Sequence, residues 1–243
     1  MIIKLLRFVA IIIFDLLDKH LHQNRIKKFI RVNQIDIDFC IDVGAHNGYY
    51  SDLLLSINNK AKIIMFEPQK KYFRLLKKKF KNKRNVKVFQ EALSDKNSSK
   101  ILYINKHDLT TTLAKNINNN LYFKLKAKLF QTNIDGMVET KVKTKVIRLD
   151  KKLRGNNKNI DLIKIDTEGY EFQVLKGVGK NLDISRYLIV EFHSKKTYLN
   201  YSPEKIHKFL IKKGFKLRKT FHFPLSTFED RIYENTKLKR SIS

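Results

Sequence analysis

Asp38 to Asp52, DFCIDVGAHNGYYSD, is the stretch whose reading decides the fold. Phe39, Cys40, Ile41 and Val43 form a short apolar run, Gly44-Ala45-His46-Asn47-Gly48 is a glycine-bounded turn, and Tyr49, Tyr50, Leu53, Leu54 and Ile57 follow at helical spacing. The order is strand, tight turn, helix. Glycines let the backbone approach a ligand closely, and the first N–H groups of the new helix point at it. Asp42 falls at the strand's carboxyl end, where it can hold a cationic or hydroxylated part of that ligand. A glycine turn is a weak signal alone, and Gly44-x-x-x-Gly48 lacks the third glycine of the dinucleotide fingerprint.

Its surroundings strengthen it. A second apolar run, Ile63 to Phe66, ends in Glu67-Pro68, and an acid at the tip of the second strand suits a ribose diol. Val86 to Leu93 reads as a third strand ending in Glu91-Ala92-Leu93-Ser94-Asp95. Leu162 to Ile165 reads as a buried strand that delivers Asp166, with Glu168, Gly169 and Glu171 opening the next helix. Tyr187 to Phe192 is a further core strand carrying Glu191 and His193 to the same edge. Strands alternating with helices predict a parallel sheet covered on both faces, with ligands outside the carboxyl ends of its strands. Asp42, Glu67, Glu91 and Asp166 then face one crevice. The plain alternative for Glu168 and Glu171 is that first-turn acids complement the helix dipole.

DVGAHNGYYS, FEP, EALSD and DLIKIDTEGYEFQVLKG, in that order between about Asp36 and His193, resemble the successive motifs of the FkbM-type S-adenosylmethionine-dependent methyltransferases. His46 stands where that family often has Asn. The resemblance implies the class I methyltransferase fold, an α/β, doubly wound, mostly parallel seven-stranded sheet of Rossmann-like type. It implies S-adenosylmethionine as cofactor, whose sulfonium and ammonium suit a crevice rich in carboxylates. Asp42 and the turn Gly44, Ala45, His46, Asn47 and Gly48, followed by Tyr49 and Ser51, are the expected methionine-side residues. Glu67 with Pro68 is expected at the ribose, Glu91 and Ala92 beside the adenine, and Asp166 at both cofactor and acceptor. The implied reaction is O-methylation, with a sugar hydroxyl of a glycan or glycolipid as acceptor. Asp166, His193 and Glu168 are its catalytic candidates, His193 because an ordinary imidazole titrates near neutral pH. No metal set is assigned, though an ion held by Asp166 with Glu191 or His193 is another way to acidify the hydroxyl.

The rest of the chain bounds this reading. The 243 residues carry Lys+Arg 51 against Asp+Glu 23, a formal net charge of +28. Such a balance favours polyanions, yet the lysines are scattered, as an A/T-rich coding bias would scatter them. The one cysteine excludes an internal disulfide or a multi-cysteine zinc site, and Cys40 reads as a core residue. Residues 1–31 are expected to form an N-terminal amphipathic helix and basic linker, and 32–243 the methyltransferase domain. Phe8 to Phe14 is too short an apolar run to span a bilayer, so the helix is expected to pack on the domain or a partner, or to lie on an anionic membrane. The location expected is cytoplasmic, with peripheral membrane contact left open, as is the oligomeric state. Residues 107–139 lose periodicity and are expected to be a substrate-side insertion or lid, carrying the hydroxyl-rich Thr110-Thr111-Thr112. Lys141 to Leu149 reads as an edge strand, and Phe215 to Phe223 and Phe228 to Tyr233 as a closing antiparallel hairpin. Two other classes compete: a nucleic-acid methyltransferase, and an inactive basic binding module on the same fold. Pro68, Pro203 and Pro224 are never adjacent, which disfavours an adenine-N6 enzyme. An inactive relative would be free to lose Asp42, Gly44, Gly48, Glu67 and Asp166.

Overall fold

The computed structural model describes residues 22–105, 111–114, 138–195, 197–222 and 228–238. Its elements run α1 (Gln23–Val32), β1 (Phe39–Val43), α2 (Tyr49–Ile57), β2 (Lys62–Phe66), α3 (Lys70–Lys79), β3 (Val86–Phe89), β4 (Ala92–Leu93) and β5 (Ser98–Asn105). There follow β6 (Val138–Ile147), the short α4 (Leu149–Lys152), β7 (Ile160–Ile165), α5 (Glu171–Val178), β8 (Ser185–His193), α6 (Pro203–Lys212), β9 (Phe215–His222) and β10 (Phe228–Asn235). The main sheet has the order β3-β2-β1-β7-β8-β10-β9, parallel throughout except for β10, which runs antiparallel between β8 and β9. This is the doubly wound, seven-stranded architecture expected. The order reverses beside β1, and the crevice of such a sheet lies there.

Every residue of β1 and of β7 is buried, as strands covered on both faces must be. The two-residue alternation sorts their side chains into two cores. Phe39, Ile41, Val43, Ile163 and Ile165 pack on one face, and Cys40, Leu162, Ile189 and Ile232 on the other. Cys40 is fully buried, and burial pushes its thiol well above its ordinary value, so it is a packing residue.

Three expectations are corrected. The third strand stops at Phe89; Ala92–Leu93 joins β5 and β6 in a separate three-stranded sheet. The segment expected at an edge is the central strand of that small sheet, starting at Val138. The stretch read as a basic linker is helix α1, whose Ile26 and Ile30 are fully buried while Phe29 meets Phe221 edge-on. His22 Nε2 also lies 2.8 Å from Asp230 Oδ2. The expected helix over Ile2 to Leu17 lies outside the described residues, as does most of 107–139. No helix among the described residues is long and apolar enough to cross a membrane.

Helix α5 is seated on the small sheet through Gly177, whose Cβ would fall 1.8 Å from the Ser94 carbonyl oxygen. Gly177→Ala is therefore expected to cost about 1–3 kcal/mol, as overpacking against fixed backbone does. Urea denaturation measures it through a lower midpoint at unchanged slope.

Candidate active site

At the carboxyl ends of β1, β2 and β7 opens a cleft of about 270 Å³, just below the roughly 300–1,000 Å³ usual for small-molecule sites. Four carboxylate residues line it: Asp42, Glu67, Asp166 and Glu168. Gly44, Ala45, His46 and Asn47 form one wall, with Tyr49 and Pro68 beside them. The turn is fixed at both flanks, since Gly44 N donates to Phe66 O at 2.9 Å and Asp166 N donates to Val43 O at 3.1 Å. Gly48 caps α2 in the left-handed region, and Ser51 acts from behind the wall, donating to Asp42 Oδ2 at 2.6 Å.

Asp42 is 1% exposed, and burial raises its carboxyl despite Lys164 and Ser51. Its other oxygen, Oδ1, is buried without a hydrogen-bond partner among the described residues. An unmet acceptor at a cleft wall suits a cationic ligand group. Glu67 accepts from His46 N through Oε2 and from Gln69 N through Oε1, both at 2.8 Å. Burial pushes its carboxyl up to about 7 even so.

The register of the sheet assembles a polar ridge on the face that carries Cys40. Asp42 pairs with Lys164 across β1 and β7, and Glu191 pairs with Asp230 across β8 and β10, all with the same facing. Lys164 is 5% exposed, and its ammonium lies 2.6 Å from Asp166 Oδ2 and 5.3 Å from the Tyr50 ring centroid. Burial alone would lower Lys164, but Asp166, Asp230, Glu191 and Asp42 outweigh it and hold it above its ordinary range. Burial likewise opposes ionisation of Asp166, which Lys164 and a hydrogen bond from Glu191 pull below the usual value. Glu191 is raised by burial and by Asp166, with the neighbouring His193 acting against both.

His193 ends β8 behind this ridge and does not line the cleft. Burial would lower its pKa, yet Glu191, Glu168 and Glu171 raise it to about 10. An imidazole already charged at neutral pH is no general base, which corrects that expectation. Glu168 does line the cleft, in a left-handed backbone conformation with φ of 53°, a strain found in bulky residues chiefly where function requires it. The Tyr198 hydroxyl donates to Glu168 Oε2, and Thr112 Oγ1 donates to its carbonyl at 2.6 Å. Glu171 is fully buried and organises the turn, its Oε1 accepting from Thr167 N and Gly169 N.

Glu91 is a second correction. Its carboxylate takes Lys145 at 2.6 Å and Lys152 at 2.7 Å, which hold it below its ordinary value against burial, and it does not line the cleft. Ala92 and Leu93 do. Sequence reading missed Lys164, Tyr50 and Tyr72 as site residues. The signal for Lys164 was a charge inside the apolar run Leu162 to Ile165; Tyr72, its ring 3.7 Å from that of His46, looked like one more apolar position of a helix. Thr111 and Thr112, from the hydroxyl-rich step of the insertion, line the cleft, and Gln69 Nε2 donates to Thr111 Oγ1 at 3.0 Å.

These residues fit S-adenosylmethionine: an unmet buried carboxylate oxygen for its ammonium, a backbone cradle with no room for a side chain at Gly44, and Glu67 for its ribose. A carboxylate that accepts two ribose hydroxyls must be ionised. Since the folded Glu67 sits near 7 and not at its ordinary 4.5, the unliganded fold binds an extra proton between those values and loses stability as pH rises through them. Cofactor affinity moves oppositely. S-adenosylhomocysteine is expected to bind roughly ten-fold tighter at pH 8 than at pH 6, as one titrating group near 7 dictates. Calorimetric titration at the two pH values checks this, with a flat profile expected for Glu67→Gln; a flat profile in the unaltered protein would remove Glu67 from the ribose.

A family model described as the methyltransferase FkbM domain matches residues 42–217, most of the chain. No match is found among curated proteins. Among solved structures, magnesium protoporphyrin IX methyltransferase from Synechocystis PCC 6803 with bound S-adenosylhomocysteine aligns at 9% identity and a TM-score of 0.52, over 92% of this chain and 85% of that one. A Staphylococcus aureus protein assigned as a caffeoyl-CoA O-methyltransferase aligns at 11% identity and a TM-score of 0.51, over 88% and 83%. At such identities these likenesses establish the fold alone. With the motif-bearing strands, the carboxylate-lined cleft and the family match in agreement, the chain belongs to the FkbM methyltransferase family and is S-adenosylmethionine-dependent.

Proposed function

We propose that the protein methylates a hydroxyl oxygen of a sugar in a glycan or glycolipid. The carrying observation is the character of the cleft beyond the cofactor residues, where Asp166 and Glu168 stand with Thr111 and Thr112. Such a wall offers acceptors and small donors to a neutral, polyhydroxylated molecule and repels an anionic one. The cofactor supplies an electrophilic methyl carbon on a sulfonium. Transfer to oxygen needs that oxygen about 3 Å from the carbon and opposite the sulfur, so positioning supplies much of the acceleration. Asp166, kept ionised by Lys164, accepts the hydroxyl's hydrogen bond and orients a lone pair. Glu168, fixed by Tyr198 and Thr112, bounds the other side and limits the poses available.

A nucleic-acid acceptor is the second reading. The exposed Lys70, Lys71, Arg74, Lys77 and Lys78 of α3, which also brings Tyr72 to the cleft, favour it. An isotopically labelled methyl donor, offered with a panel of oligosaccharides and lipid-linked sugars beside RNA and DNA, separates the two. Label in a sugar ether supports the first; label in nucleic acid alone would overturn it.

A further inference from the structure

Glu168, Glu191 and His193 are brought together from the loop after β7 and from the end of β8, and one donor atom of each lies within 4.8 Å of the other two. His193 Nε2 is 2.9 Å from Glu191 Oε2 and 3.9 Å from Glu168 Oε2. The shorter approach is an ion pair, and apart from each other Nε2 of His193 and Oε2 of Glu191, both buried, have no polar partner closer than Glu168 among the described residues. Both residues are buried, His193 at 7% exposure and Glu191 at 8%. Two donor atoms thus stand together beside Glu168, which reaches the cleft, and a cation bound among the three takes the place of the proton that His193 otherwise carries.

We propose that Glu168, Glu191 and His193 form a binding site for a divalent first-row cation of the manganese type, which also holds the acceptor hydroxyl at the cleft wall. The role assigned to the acceptor rests on the sugar-methylation reading; the site itself does not. Ligand atoms about 2.1 Å from one ion stand about 3.0 Å apart in an octahedron and about 3.4 Å apart in a tetrahedron, so the 2.9 Å pair is already spaced as ligands. One imidazole with two carboxylates is a mixed set that suits manganese, iron, cobalt or zinc, whereas magnesium and calcium prefer oxygen alone.

The surroundings hold the ligands in place. Tyr198 and Tyr201 meet the His193 ring at 5.0 and 5.8 Å, both edge-on, and Phe228 lies at 6.3 Å. The His193 backbone N–H donates to the Tyr201 hydroxyl at 3.0 Å, and the Tyr198 hydroxyl donates to Glu168. Such outer partners orient ligands and keep water out. A hydroxyl bound to the cation is acidified. Its proton leaves to solvent through the cleft mouth, and the oxygen's electron pair forms the new carbon–oxygen bond. The carbon–sulfur bond breaks with its pair remaining on sulfur, so the sulfonium charge is discharged as the proton is released.

The test is titration of Mn²⁺ into the full chain saturated with S-adenosylhomocysteine, read by electron paramagnetic resonance and calorimetry. One ion per chain is expected, with affinity reduced at least ten-fold in His193→Gln and in Glu191→Gln while both still bind S-adenosylhomocysteine. Absence of stoichiometric Mn²⁺ uptake by the unaltered protein overturns the site, whatever the variants do. Variants that bind Mn²⁺ as the unaltered protein does show an adventitious site elsewhere and overturn it equally. Mn²⁺ uptake without methylation of any sugar upholds the site and overturns the acceptor reading. Sugar methylation that survives chelation at full rate, with no Mn²⁺ bound, upholds the acceptor reading and overturns the site.

Discussion

Lys164→Met is expected to lower the stability of the protein by about 3–5 kcal/mol, the usual cost of removing one partner from a buried ion pair. Methionine reproduces the length and the apolar stem, so packing against Tyr50 is largely kept and the loss is electrostatic. What remains is a strand edge crowded with the buried Asp42, Glu191 and Asp230 and the partly exposed Asp166. At least one of them is then expected to take up a proton, and Asp166, held ionised chiefly by Lys164, is the one most changed. The sign of the linkage places the effect at every working pH. The folded pKa of Lys164 lies above its ordinary value, so its contribution is complete below about 10.4 and fades only above that. Urea denaturation at pH 7 measures the loss, and the double variant with Asp166→Asn is expected to recover part of it, as neighbours in one network do. A loss under 1 kcal/mol would show that solvent already compensates the pair.

That cluster marks the limit of what was legible in the chain. Strand-end acids and the glycine turn declare themselves by position, because a residue that follows an apolar run is bound to emerge at the edge of a parallel sheet. Asp42, Glu67 and Asp166 were found in this way, and all three line the cleft. The failures concern residues whose partners come from elsewhere in the chain. Glu91 sits at a strand end by pattern, but β4 leaves the main sheet to pair with β6, and Lys145 and Lys152 arrive to claim its carboxylate. Lys164 was passed over because an apolar run hides its own exception; only the pairing of β1 with β7 shows that it faces Asp42. His193 was read with an ordinary pKa, since the acids that raise it come from β8 itself and from the turn after β7. Position along a strand is a local property. Charge state depends on register, and register is set by the whole sheet.

Gly44→Ala is expected to abolish measurable binding of S-adenosylhomocysteine, a weakening of at least about 100-fold, and to lower stability by roughly 2–5 kcal/mol from left-handed strain and overpacking together. Gly44 has a φ of 78°, where a side chain is strained whatever space surrounds it. The space is also absent. An added Cβ would fall 1.8 Å from the Asp166 carbonyl oxygen and 3.0 Å from its carbonyl carbon, both backbone atoms that no rotamer change can move. The ends of β1 and β7 would have to part by more than an ångström, breaking the bond from Asp166 N to Val43 O. The same movement would shift the Asp166 carboxylate relative to Glu67, and it is their relative placement that makes the cleft a site. Gly48→Ala supplies the control. Its φ is also 78°, but its Cβ meets the side-chain ends of Leu76 and Phe80 at 2.7 and 2.9 Å, which can yield. That variant is expected to lose stability while keeping cofactor affinity within a few-fold. If Gly44→Ala bound S-adenosylhomocysteine as the unaltered protein does, the turn after β1 would not be where the methionine part of the cofactor rests, and the ligand would have to be placed elsewhere in the cleft, against Tyr72 and Thr111.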